Sequence, residues 1–231
     1  EVTPTTVTLP EPPNENQFAN TRREGVYNLR WGDANAVLPK MNKASDVSWN
    51  YGRLGNIISD EGGKVIREFS VTAGEAPKAG DGARLESFVF LRNPKEDHNI
   101  DYEDIKLKSD AGDLQAWWID QQTDTAVIMV HGRRRGNIHE TLRAMPTVVS
   151  EGYSVLAMAY RNHGDSAMTP DGFYHYGESE WQDIVVTFNF LESKGVKNVI
   201  LYAFSMGAEV MLETYERYTS GLQIQAIILD A

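Results

Sequence analysis

The chain contains no cysteine among its 231 residues, which excludes disulfides, a thiolate nucleophile and any cysteine-ligated metal site. Basic residues are also few, since 22 Lys and Arg stand against 33 Asp and Glu and give a formal net charge of -11. Nucleic-acid binding depends on clustered cations that release counterions from the phosphates, so we expect no nucleic-acid partner. The one basic cluster, Arg133-Arg134-Arg135, is too short to change this expectation, and we interpret it as solvated loop charge.

The sequence also lacks a hydrophobic run long enough to cross a bilayer. No cluster of His and carboxylate residues has metal-ligand spacing, so we expect neither a metal nor an organic cofactor. Residues 1–24 are rich in Pro, Thr, Asn and Glu and predict an extended or disordered linker. Such a start fits a membrane tether or export segment upstream of Glu1, which we favour over a cytoplasmic location. The oligomeric state stays open.

Two patterns divide the rest of the chain. Residues 25–100 contain short apolar runs separated by glycines and predict a small β-rich region. Residues 101–231 begin with a hairpin and continue with apolar strands that alternate with amphipathic segments, which predicts a mostly parallel sheet with helices on both faces. We predict strands at 125–130, 153–160, 198–204 and 224–229, and helices at 138–150, 180–193 and 206–218.

One of these strands ends on Ser205, and a helix-forming segment follows directly. Ala203 and Gly207 stand two residues before and after the serine, so the segment reads A-x-S-x-G, with Ala in place of the usual first Gly. Small residues at both positions allow a sharp strand-to-helix turn that exposes the serine hydroxyl to a base. The pattern therefore predicts a nucleophile elbow. The alternative is a helix-capping serine, which would not need small residues on both sides.

Two further loops are expected at the same edge of the sheet, because ligands bind at the carboxyl ends of strands in open α/β folds. His131-Gly132-Arg133 follows the strand at 125–130, and Tyr160-Arg161-Asn162-His163-Gly164 follows the next strand. In this order, the hairpin, the two loops and the elbow resemble the α/β-hydrolase superfamily. More closely, they are similar to prolyl-oligopeptidase-like serine hydrolases with a β-rich N-terminal extension.

The resemblance implies roles for particular residues. It makes Ser205 the catalytic nucleophile and the backbone N–H groups of Met206 and Arg133 the oxyanion hole. His131, Gly132, Arg161 and Gly164 would then lie in the loops around the site, with Ala203 and Gly207 in the elbow.

The rest of a catalytic triad cannot be assigned from this sequence. In this fold the acid and the histidine follow the serine in the chain, but all five histidines precede Ser205 (His98, His131, His139, His163 and His175). The later acidic residues are Glu209, Glu213 and Glu216 on the elbow helix and Asp230 at the end of the next strand. We therefore expect the sequence to stop after about the sixth of eight strands, with acid and histidine downstream of Ala231, and the chain alone to be inactive.

Three functions remain open. We favour a serine esterase or related acyl hydrolase that acts on a small-molecule ester, with a serine peptidase that acts on peptides as the alternative. The non-enzymatic alternative is a hydrolase-like interaction module that has lost acid and histidine. Around the site, we interpret His131 as bracing its loop, Arg161 as part of a buried ion pair, and Asp183 as a first-turn helix residue favoured by the helix dipole. We interpret His163 and His175 as solvated loop residues.

Overall fold

The computed structural model describes residues 2–3, 5–10, 27–31, 50–86, 90, 92–133, 137–218 and 221–230. They form two compact units, Glu1–Val89 and Phe90–Ala231. The second unit begins earlier than the predicted boundary after residue 100, because Phe90, Ile100 and Tyr102 pack against its buried core. Helix α1, Pro94–His98, lies in this stretch.

The first unit contains a five-stranded antiparallel sheet with the order β1-β4-β3-β2-β5. The side chains of Val7, Leu54 and Phe69 are buried in its core. The first strand lies within the predicted linker, so that prediction is wrong for residues 6–10, where Val7 and Leu9 alternate with polar residues and face the core. Residues 11–24 lie outside the described residues. The strands are β1 Thr6–Pro10, β2 Tyr27–Trp31, β3 Asn50–Glu61, β4 Lys64–Ala73 and β5 Ala83–Glu86.

The second unit contains a six-stranded sheet with the order β11-β10-β8-β9-β7-β6. Strands β9, β8, β10 and β11 run parallel, and β6 and β7 form the predicted antiparallel hairpin at one edge. The predicted mostly parallel sheet is therefore confirmed. The strands are β6 Glu103–Ser109, β7 Gly112–Ile119, β8 Thr125–Val130, β9 Ser154–Met158, β10 Asn198–Phe204 and β11 Gln223–Asp230.

Helices cover both faces of this sheet. On one face, α3, Trp181–Ser193, and α4, Gly207–Arg217, bury apolar side chains such as Phe188 and Met211. On the other face, a 3-10 helix, Ile138–Arg143, and α2, Met145–Ser150, bury Leu142 and Met145.

One predicted helix, at 138–150, is divided in two in the structure. Pro146 lies in the first turn of α2. It has no N–H to continue the hydrogen bonding of the preceding turn, but the first turn of a new helix accommodates it. The segment therefore forms a 3-10 helix followed by a short α-helix.

The central strands bring three loops to one edge. All five residues of β9 and five of the six residues of β8 are buried, as expected of parallel strands that are covered on both faces. The loops that follow β8, β9 and β10 therefore leave the sheet at neighbouring positions. Within the described part of the chain, no helix combines the length and apolar character needed to span a membrane.

Candidate active site

Ser205 lies at a strained turn between β10 and α4. Its φ is +47°, in the left-handed region that few residues other than glycine adopt, and its side chain is exposed. Such a conformation costs about 1 to 3 kcal/mol and persists only where surrounding contacts enforce it. Here the Ser205 amide donates to the Asp230 carbonyl at 2.9 Å, and the Ser205 carbonyl accepts from the Ala208 amide at 2.8 Å.

The small residues of the elbow have a direct steric reason. A Cβ added to Gly207 would lie 2.7 Å from the carbonyl oxygen of His131 and 2.8 Å from Cγ2 of Val130. The side chain of Ala203, on the other side of the serine, is completely buried. Helix α4 can therefore begin at this point only because position 207 carries no side chain.

The loop after β8 lies against the nucleophile. A Cβ added to Gly132 would come within 2.9 Å of the Ser205 Cβ, so the backbone of this loop and the elbow are in direct contact. The Gly132 amide donates to Oε2 of Glu140 at 2.7 Å. Among the hydrogen bonds of the described residues, the amides of Met206 and Arg133 donate to no acceptor.

His131 braces this loop from within. Its buried ring places Nδ1 2.7 Å from the Gly132 carbonyl, and since that oxygen can only accept, Nδ1 carries the proton. No described residue hydrogen-bonds to its buried Nε2. Burial lowers the pKa of His131 well below its ordinary value, with a further contribution from nearby His163. The ring is therefore neutral and stacks on Tyr160 with the centroids 4.4 Å apart.

The loop after β9 is held by a buried ion pair. The Arg161 guanidinium donates to Asp183 at 2.7 Å and 3.0 Å and to Asp110 at 2.6 Å, and both Arg161 and Asp183 are buried. Burial alone would lower the pKa of Arg161, but the bonds to the two carboxylates outweigh it and raise that pKa above its ordinary value. This guanidinium therefore has a structural role, because its N–H groups are bonded to Asp183 and Asp110. Asp183 does lie in the first turn of α3, but its carboxylate also anchors this loop.

Two histidines and a glycine lie in the same loop. The interpretation of His163 as solvated is wrong, because its ring is buried and stacks on Tyr174 at 4.3 Å. His175 is partly exposed, with Nε2 3.0 Å from Asp171. Gly164 has a φ of +55° and packs against the Gln115 side chain.

Three side chains that hold these loops were not predicted from the sequence. Glu140 binds the Gly132 amide, and buried Glu180 accepts from the amides of His175 and Gly177. The Tyr160 hydroxyl donates to the carbonyls of His131 and Gly132 at 3.0 Å and 3.3 Å. Glu180 and Glu140 bind amides three to eight residues away, whereas Tyr160 binds carbonyls 28 and 29 residues away, so only the two carboxylates had a local sequence signal.

The described residues at this edge provide no metal site and no titratable side chain hydrogen-bonded to Ser205. They contain no group of three or more His, Asp or Glu that could hold a metal ion. The Asp230 carboxylate, at the end of β11, lies 3.5 Å from the Arg143 guanidinium. The site therefore consists of an exposed serine, the loop after β8 packed against it and the side chains that brace that loop.

The strand order, the helices on both faces and the strained serine between β10 and α4 define the class: the unit Phe90–Ala231 has an α/β-hydrolase fold. No protein-family model matches the chain.

Several solved structures are similar to part of it. An esterase from Pyrococcus furiosus is 28% identical, with a TM-score of 0.49, over 55% of this chain and 50% of its own. An esterase from Exiguobacterium antarcticum is 22% identical, with a TM-score of 0.45, and the match covers 55% of this chain and 44% of the esterase. A bromoperoxidase from Bacillus anthracis is 21% identical, also with a TM-score of 0.45, and the match covers 55% of this chain and 44% of the bromoperoxidase. The chain spans about half the length of these structures.

Proposed function

We propose that this protein is a serine hydrolase that cleaves a carboxylic ester or a related acyl bond through an acyl-Ser205 intermediate. The observation that carries the proposal is the exposed Ser205, held at a φ of +47° with Gly132 of the preceding loop packed against it. Strained backbone at a non-glycine residue is common at functional sites. A capping serine would explain neither the strain nor the close contact with a second loop.

The proposed reaction begins when Oγ of Ser205 attacks the acyl carbon. A C–O bond forms, the Oγ proton passes to a general base, and the carbonyl oxygen becomes an oxyanion. The amides of Met206 and Arg133, which donate to no other described group, would stabilise that oxyanion. Each such donor contributes about 3 kcal/mol to transition-state stabilisation. The N-terminus of the eleven-residue α4 adds positive potential at the same point.

None of the described hydrogen bonds joins a histidine to Ser205, and in this fold the base follows the nucleophile in the chain, whereas all five histidines precede it. His131 and His163 are buried and donate through Nδ1 to backbone carbonyls, and His175 contacts Asp171. His98 and His139 are bonded to Leu142 and Asn137. The proposal therefore requires a base, and the acid that orients it, from outside these residues.

Covalent labelling tests the proposal. In the full-length protein, a fluorophosphonate probe should label Ser205, and Ser205→Ala should abolish labelling, because phosphonylation needs the activated hydroxyl. Ser193→Ala, which removes a hydroxyl at the end of α3, is the matched control and should label normally. Labelling that persists in Ser205→Ala would reject the nucleophile, and no labelling of the wild type would favour the non-catalytic alternative. Rates on p-nitrophenyl esters and on short peptide amides then separate an esterase from a peptidase.

A further inference from the structure

We infer that Tyr160 is a positioning residue for the oxyanion hole: together with His131 and Glu140, its hydroxyl fixes the two successive peptide units that lead to the Arg133 N–H. The inference rests on the proposed function, because it concerns the donor beside Ser205. The Tyr160 hydroxyl contacts the carbonyls of the loop, and its ring contacts the rings of His131 and His163.

The first peptide unit joins His131 to Gly132 and is held at both ends. Its carbonyl accepts from the Tyr160 hydroxyl at 3.0 Å, and its N–H donates to Glu140 at 2.7 Å. The C=O and N–H of a planar trans peptide point in opposite directions. Partners on both sides therefore prevent this plane from rotating.

The second peptide unit joins Gly132 to Arg133 and carries the proposed oxyanion donor. Its carbonyl accepts from Nδ1 of His131 at 2.7 Å and from the Tyr160 hydroxyl at 3.3 Å. By the same planarity, the Arg133 N–H points away from these two side chains. Gly132 packs against Ser205, where its missing Cβ would come within 2.9 Å of the Ser205 Cβ. The N–H is therefore directed out of the buried aromatic cluster at the point where the loop meets the nucleophile.

This loop needs such support because of its glycine. Gly132 has no Cβ to restrict its φ and ψ, so its peptide planes would otherwise be free to turn. An oxyanion donor is effective only when it is oriented before charge develops. Tyr160 is completely buried, and burial, with smaller effects of Glu180 and Glu140, raises the pKa of its hydroxyl. The hydroxyl therefore remains a donor at working pH.

The test compares two single-hydroxyl deletions in the full-length protein. Tyr160→Phe keeps the ring and removes only the bonds to the two carbonyls. Tyr174→Phe is the matched control, since this ring stacks on His163 in the same cluster but its hydroxyl holds no described carbonyl. We expect Tyr160→Phe to lower kcat about tenfold, less than the roughly 100- to 1000-fold loss on deleting a donor. Its KM should stay within about twofold, since uniform binding is unchanged, and Tyr174→Phe should match the wild type.

Rates are expressed per serine titrated with the fluorophosphonate, so partial unfolding does not enter the result. An unchanged kcat in Tyr160→Phe, a parallel rise of KM, or an equal loss in Tyr174→Phe would overturn the inference while Ser205 labelling, and thus the proposed function, stands. If circular dichroism shows that Tyr160→Phe is unfolded, Glu140→Gln tests the inference in its place. This substitution weakens the hydrogen bond from the Gly132 N–H, which holds the peptide between His131 and Gly132 from its other side. A lower kcat at constant KM supports the inference, and an unchanged kcat rejects it.

Discussion

The loops that follow β8 and β9 leave neighbouring strands at the same edge but are held in different ways. The loop after β8 is fixed through its main chain, by Glu140, Tyr160 and His131 on successive peptide units. The loop after β9 is fixed mainly through charged side chains, with Arg161 bound to Asp183. The first arrangement controls the direction of individual N–H groups. The second holds a long segment in place.

Because of this difference, we expect substitutions in the two loops to affect different properties, the rate in one and the free energy of unfolding in the other. A hydrogen bond to a peptide group favours one orientation of that group at little net energy. A buried ion pair is costly to break from one side, because an unpaired charge is left in the core. We therefore expect changes in the loop after β9 to appear first in the free energy of unfolding, and changes at the junction of the other loop with the elbow to appear first in the rate.

The largest expected effect on stability comes from Arg161→Met. It leaves the buried Asp183 carboxylate without its partner, and breaking a buried pair from one side costs about 3 to 5 kcal/mol. Urea unfolding measures this loss. The rate per titrated serine should change little, because Arg161 contacts neither Ser205 nor the β8 loop in the described hydrogen bonds.

Asp110→Asn is the matched control for the same guanidinium. The Asp110 side chain is 64% exposed, so its bond to Arg161 should contribute about 1 kcal/mol or less. Equal losses in the two variants would show that burial does not distinguish the two carboxylates. A large loss of rate per serine in Arg161→Met would contradict the division of roles between the loops.

For the next substitution, at Gly207, we expect a larger effect on the rate than on the free energy of unfolding. Gly207→Ala forces a methyl group to within 2.7 Å of the His131 carbonyl, so the β8 loop must move away from the elbow. Overpacking of this kind costs about 1 to 3 kcal/mol of stability. If the Arg133 N–H is displaced, the rate should fall about 100-fold. Gly152→Ala, at a φ of +84° with open space around it, should cost about 1 to 2 kcal/mol and leave the rate unchanged.

Much of this edge could be predicted from the sequence because its signals are local. The apolar strand before Ser205 and the small residues at 203 and 207 lie within a few positions of one another, and continuous apolar runs predicted the buried parallel strands. The backbone strain at Ser205 follows from the same short segment.

The bracing role of His131 and the buried ion pair of Arg161 were expected, but the partners that lie far apart in the chain could not be predicted. Asp183 on α3 lies 22 residues after Arg161, and Tyr160, after β9, binds the carbonyls of His131 and Gly132 after the neighbouring strand β8. His163 resembles a polar loop residue in sequence, but the rings of Tyr160 and Tyr174 enclose it. Strand β1 was missed because prolines on both sides concealed its alternation.

The last predicted effect is a pH dependence that both loops share. His131 and His163 each donate through Nδ1 to a backbone carbonyl and bury an Nε2 that no described residue binds. Burial lowers the pKa of both rings in the folded state, whereas the unfolded chain binds these protons below about pH 6.5. Below that pH the free energy of unfolding should therefore fall, by at most about 1.4 kcal/mol per pH unit for each ring. Urea unfolding of His163→Gln between pH 7 and 5 should show a weaker dependence of the free energy of unfolding on pH than the wild type, and an equal dependence would mean that the pKa of His163 does not differ between the two states.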